Sequence, residues 1–157
     1  MAYNGSLLWV AATTADQTAY ANTGRLKTIS GTVYLSFPMS YMVERGYKSK
    51  PNIREEIKAY RDDNTRALTR VTAEGTKTSI KITTRELKDA EKIDLLKWFT
   101  DHESIALQRK ITVLYFDMDT STYKTGTFYR PDPEYTIKSI VNNVLTWDAF
   151  DVELIEY

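Results

Sequence analysis

The last third of the chain, Lys110 to Tyr157, alternates apolar and polar residues in runs broken by polar turns. Paired β-strands bury such a pattern on one face. The runs are Lys110–Phe116, Thr122–Tyr129, Tyr135–Val141 and Leu145–Tyr157. Asp117-Met118-Asp119-Thr120-Ser121, Pro131-Asp132-Pro133 and Asn142-Asn143 separate them. The expectation is an antiparallel meander carried to the final residue, built to present surface.

Upstream the signals are more varied. Ser6–Val10 reads as a short strand, and Ala11 to Lys27 as a polar loop or extended arm (residues 11–27) without clear periodicity. In Thr32–Phe37, Val33, Leu35 and Phe37 alternate with polar neighbours, which suits a half-buried strand closed by Pro38. Ser40–Val43 is a second strand candidate, and Tyr47 to Asn52 reads as a basic turn. Ile57, Ala59 and Arg61 alternate weakly, though Glu55-Glu56 would permit a helical turn, and Asp62-Asp63-Asn64 is a turn signal. Thr65–Ala73 and Thr76–Thr84 flank Glu74-Gly75 and read as a projecting hairpin (residues 65–84) with Gly75 at a positive φ. One helix is expected from Asp89 to about His102. Asp89 would cap it, and Ile93, Leu96 and Phe99, widened by Leu95 and Trp98, would form its apolar face.

At 157 residues this reads as a single domain, residues 1–157, with enough chain to bury roughly 70% of its unfolded surface. Lys and Arg number 21 and Asp and Glu 21, so the overall basic excess of a nucleic-acid binder is missing. Balanced charge also favours association over mutual repulsion. There is no Cys, which excludes disulfides and thiolate-bound zinc. Met1 to Gly5 has neither the basic start nor the apolar core of a secretory leader, and the apolar runs are too short to span a membrane. Tyr occurs 11 times, suiting both pleated sheet faces and interfaces.

The motifs that suggest chemistry have plainer readings. Ile111–Phe116 followed by Asp117-Met118-Asp119 resembles the opening of aspartate-nucleophile phosphatases, but the next run reads as a strand where those enzymes need a helix. A hairpin turn is the expectation. A calcium loop starting at Asp117 would need Gly and Glu where Thr122 and Phe128 stand. His102, the lone histidine, falls at a helix end, where the dipole favours an imidazole. No catalytic, cofactor-binding or metal-binding residue is assigned, no cofactor is expected, and the chain is read as a non-enzyme. Arg66, Arg70, Lys77, Lys81 and Arg85, with Gly75 at the turn, are the candidate residues of a subunit interface. The interleaving of Thr and Ile, not aromatics, argues against a nucleic-acid stripe.

Three stretches carry a family resemblance: Ile111–Asp117, Tyr123–Pro131 and the ending Phe150–Tyr157. Together with the opening Asn4-Gly5 and the Arg- and Thr-rich segment before one amphipathic helix, they resemble small tail proteins of long-tailed phages and prophages of Gram-positive bacteria. The resemblance implies a tail-tube-like fold, a mainly antiparallel β-sandwich or small barrel with one flanking α-helix. It implies homo-oligomeric rings, usually hexameric, around a lumen that passes genomic DNA without specific binding, and contact with tube, tape-measure and tail-tip proteins. The expected location is the virion, after assembly in the host cytoplasm, with no membrane association. Within that group the chain looks most like the distal tail, or baseplate hub, component. A tail-tube or tail-terminator subunit is the near alternative, and a monomeric ligand-binding β-barrel the alternative of another class.

Overall fold

A computed structural model describes residues 3–157; Met1 and Ala2, where the reading for a leader begins, lie outside the described residues. In chain order the elements are β1 (Leu8–Ala11), α1 (Thr14–Ala19), β2 (Leu26–Ile29), β3 (Thr32–Ser36), β4 (Met42–Ile53), β5 (Glu56–Arg61), β6 (Leu68–Thr72), β7 (Lys77–Thr84), β8 (Leu87–Lys88), α2 (Asp89–Thr100), β9 (Glu103–Ile105), β10 (Lys110–Asp117), β11 (Thr122–Tyr129), β12 (Ile137–Val141), β13 (Val144–Trp147) and β14 (Asp151–Glu156). The protein is mainly antiparallel β, in a sandwich-like arrangement of sheets with α2 as its one substantial helix. A nine-stranded sheet has the order β2-β3-β1-β10-β11-β14-β7-β4, with β9 attached to β10. A three-stranded sheet, β12-β13-β8, and the two-stranded β5-β6 complete it. Among the described residues no helix is long and apolar enough to cross a membrane.

The core follows from alternation. Ile80 and Ile82 on β7, Ile111, Val113 and Tyr115 on β10, and Val152 and Leu154 on β14 all point to one side and join one apolar cluster. Trp98 and Phe99 of α2 close over it, with Phe37 edge-on to Trp98 at 5.2 Å and tilted against Phe99 at 5.9 Å. Phe37, Phe99 and Phe128 are the largest of the fully buried side chains.

Several expectations need correction. Thr65–Ala73 does not pair with Thr76–Thr84: β6 pairs with β5, and β7 lies between β4 and β14. Thr78, Ile80, Ile82 and Thr84 are all buried, so β7 takes an interior strand position with a partner on each edge. The turn therefore moves upstream, where the Asp62 carboxylate accepts the Asn64 and Thr65 amides and the Thr65 hydroxyl. The stretch Tyr47–Asn52 is not a turn but part of β4, a 12-residue edge strand. Pro51 is tolerated there because an edge strand has donors facing solvent. Register shifts and positive φ at Arg45 (61°) and Asn52 (54°) bend β4.

The 11–27 segment is not an extended arm. Thr13 caps α1 by accepting the Asp16 amide while the Asp16 carboxylate accepts the Thr13 amide. His102 Nε2 lies 2.7 Å from the Asp16 carboxylate and Nδ1 2.7 Å from the Trp98 carbonyl oxygen, so the imidazole bridges α1 and α2. Burial by itself would raise the Asp16 carboxyl, but the hydrogen bonds from His102 and Thr13 outweigh it and hold the carboxyl below its usual range.

Leu145–Tyr157 is not one strand. Its apolar phase flips from odd positions (Leu145, Trp147) to even ones (Phe150, Val152, Leu154), and the chain leaves one sheet for the other across Asp148 and Ala149. Asn142 and Asn143, at φ 50° and 61°, make the two-residue turn that joins β12 to β13. On α2 the buried stripe is Leu95, Trp98 and Phe99, while Ile93 is 57% exposed. Asp89 does not cap the helix. It accepts the Trp147 indole N–H at 3.0 Å, and Glu91 reaches back to the Lys88 amide.

Two outcomes test this packing. A Cβ at Gly46 would lie 2.5 Å from the Thr83 carbonyl oxygen and 2.7 Å from that of Val43. Gly46→Ala should therefore cost about 1–3 kcal/mol, read as a lower urea midpoint. Asp16→Asn should cost about 1–2 kcal/mol at pH 7 by weakening the hydrogen bonds that the carboxylate accepts from the Thr13 amide and shares with His102. Because the folded carboxyl is held below its ordinary value of 3.8, this stability is present at neutral pH and is lost as the pH falls through the folded value. The difference between wild type and variant should accordingly shrink in acid, and a constant difference from pH 7 to pH 3 would contradict the pairing.

Candidate assembly interface

The β5-β6 hairpin continues the β4-β7 pair beyond its last rung, Ile53 opposite Lys77. The Ala73 amide donates to the Glu55 carbonyl at its base, and the Asp62–Ala67 turn closes its tip. Every residue of β5 and β6 is exposed. Ile57 is 67% exposed, and Tyr60, Leu68 and Val71 are also uncovered. A two-stranded hairpin alone is marginally stable in water. This one is stiffened by the Arg70–Glu56 ion pair at 2.6 Å, by the Arg61 guanidinium donating to the Arg66 carbonyl and by Lys58 lying over the Tyr60 ring. The amides of Thr65 and Asn64 and the Thr65 hydroxyl hold the Asp62 carboxyl below its usual range.

The fold separates the residues that the sequence grouped as one stripe. Arg66, at φ 59°, sits at the hairpin tip and Arg70 on its shaft. Gly75 has the expected positive φ of 82° but stands in the turn leading into β7. Lys77 opens β7 and donates to the Tyr157 carbonyl. Lys81, on the outer face of β7, bridges Asp151 at 3.2 Å and Glu153 at 3.8 Å. Arg85 is a clamp within the fold: it grips Glu91 at 2.6 Å, donates to the Ser40 carbonyl and lies over the Tyr41 ring. Its hydrogen bond to Glu91 raises the guanidinium and lowers the carboxyl. Of the candidates, then, Arg66 and Arg70 alone belong to the projecting hairpin. The sequence reading did not assign its apolar side chains on β5 to the interface: Ile57 belonged to the weakly alternating set with Ala59 and Arg61, and Tyr60 fell outside it.

Asp117–Ser121 is the β10-β11 turn, with Asp117 opposite Thr122. Asp117 is fully buried; burial would raise its carboxyl, but Lys124, the Asp119 amide and Asn52 hold it low as a carboxylate. Asn52 also donates to Asp119 at 3.0 Å, so the pair of aspartates ties the end of β4 to the β10-β11 turn. Among the described residues no group of three or more His, Cys, Asp or Glu is placed to hold a metal ion.

Residues 20–157 match the model of one protein family, described as "Family of unknown function (DUF6711)". No curated protein and no solved structure matches the chain.

The hairpin should exchange its amides rapidly in the free subunit. Lys58, Tyr60 and Arg70 should exchange at least about a hundredfold faster than Ile80 and Ile82 of β7. Equal protection at micromolar concentration would mean that the hairpin is already covered.

Proposed function

The chain belongs to the DUF6711 family, and we propose that it is a structural subunit of a bacteriophage tail, the ring at the distal end that joins the tail tube to the host-recognition apparatus. The observation that carries this reading is the β5-β6 hairpin, which projects from the sheet with Ile57, Tyr60, Leu68 and Val71 in solvent. A monomer gains nothing from such an element, whereas a subunit can cover it with a neighbour. The resemblance of Ile111–Asp117, Tyr123–Pro131 and Phe150–Tyr157 to small tail proteins supplies the class of assembly. The free edges of the nine-stranded sheet, β2 and β4, offer further surface for sheet extension.

In this role the chain works mechanically, without a cofactor and without catalysis. Subunits close head to tail into a ring, usually of six in proteins of that kind, whose lumen passes DNA. The tube, tape-measure and tip proteins are its partners, and the virion is its location after assembly in the host cytoplasm.

Particle mass in solution together with negative-stain images tests the proposal. The full chain should form rings or short stacks. A variant in which residues 56–72 are replaced by a short Gly-Ser turn should stay folded and monomeric. A wild-type chain that remains monomeric at high concentration would remove the main support for the ring, as would rings that persist without the hairpin.

A further inference from the structure

At the end of β7 opposite the hairpin, a cleft of about 480 Å³ opens between the segment Arg130–Glu134 and the chain from Ala149 to Glu153. Lys77 marks the hairpin end of β7 and Thr83, opposite Asp151, the cleft end. At about 3.4 Å per residue the two are roughly 20 Å apart. One chain thus carries an arm at one end and a recess at the other, the arrangement that joins copies head to tail.

The cleft walls are acidic. Asp132, Glu134, Asp151 and Glu153 line it, and Asp132 is 95% exposed at its side chain, held only by Arg109 at 3.4 Å. Asp151 and Glu153 share Lys81. The one cation among the cleft residues is Arg130, 7% exposed, which is committed to Glu103 at 3.3 Å and to the face of Phe99. Among the described residues its Nε has no hydrogen-bond partner. Thr136 at the rim leads into β12, the free edge of the three-stranded sheet, where Ile137, Ile140 and Val141 are exposed.

The hairpin has the complementary character. Its cations are Lys58, Arg61, Arg66 and Arg70. Among the described residues no carboxylate is paired with Lys58, Arg61 or Arg66. Glu56 is taken by Arg70 and Asp62 by its own turn, leaving Asp63 as the free carboxylate of the tip. Leu68 is exposed on the face it shares with Arg61, and Tyr60 and Val71 on the opposite face, while Ile137, Ile140 and Val141 are exposed along β12.

We propose that the β5-β6 hairpin of one copy seats in the acidic cleft of a second copy, with Arg61 and Arg66 against Asp132 and Glu134 and with Leu68, which shares the Arg61 face, along β12. The contact deepens the assembly reading and rests on it. Two unlike patches meet, so each copy donates one hairpin and receives another.

The chain has no Cys, so single cysteines report the contact directly. Arg66→Cys and Glu134→Cys proteins, mixed and oxidised, should give a covalent dimer at least tenfold more abundant than either variant alone. A chain with Arg61→Glu and Arg66→Glu should lose assembly, as should a chain with Asp132→Lys and Glu134→Lys. Mixing these two should restore it, because each reversed surface then meets its complement. Wild-type rings that form with no 66–134 cross-link, and that tolerate both reversals, would overturn this contact while leaving the assembly reading intact. A wild-type chain that is monomeric by particle mass and gives no cross-link would overturn both.

Discussion

Thr78, Ile80, Ile82 and Thr84 send consecutive inward side chains of β7 into the core, and a strand so buried cannot leave either edge unpaired. Its two partners come from distant parts of the sequence, β4 on one side and β14 on the other. That pairing organises the rest of the molecule. It draws the C-terminal strand between β11 and β7, holds the 12-residue β4 at the edge, and leaves residues 56–72 to form their own hairpin beyond the sheet.

Polar contacts then pin the connections that apolar packing does not fix. Asp16 and His102 tie α1 to the end of α2. Asn52, Asp117 and Lys124 tie the end of β4 to the β10-β11 turn. Arg85 and Glu91 fasten the exit of β7 to the first turn of α2, and Trp147 with Asp89 fastens β13 to the same helix. Lys92 lies 3.9 Å from the Trp147 ring centre and 4.2 Å from that of Tyr135, adding a cation–π contact at this corner. The charged residues that looked most like chemistry in the sequence are largely used in this way.

The core is closed by the side chains of Phe37, Phe99 and Phe128, while apolar residues are uncovered on the β5-β6 hairpin and along β12. Carboxylates gather in the cleft beside β12 and cations on the hairpin. The phage-tail proposal builds on the apolar side chains exposed on the hairpin and along β12.

The sequence alone determined the elements whose signals are local. Alternation gave β10 and β11, Asn142-Asn143 gave the β12-β13 turn, and the apolar spacing after Lys88 gave α2. It also placed Asp117–Ser121 in a turn, because Asp and Ser satisfy turn backbone from their own side chains. Tertiary structure decided which strands pair. Thr65–Thr84 carries a plausible turn at Gly75, yet burial of β7 is worth more than a local hairpin, and its partners lie far away in the chain. The same holds for the candidate site. Arg66, Arg70, Lys77, Lys81 and Arg85 form one basic run in sequence, but strand pairing sends them to the hairpin, the sheet face and a helix clamp. A side chain's partner depends on which segments meet in space, and periodicity along one segment carries no record of that.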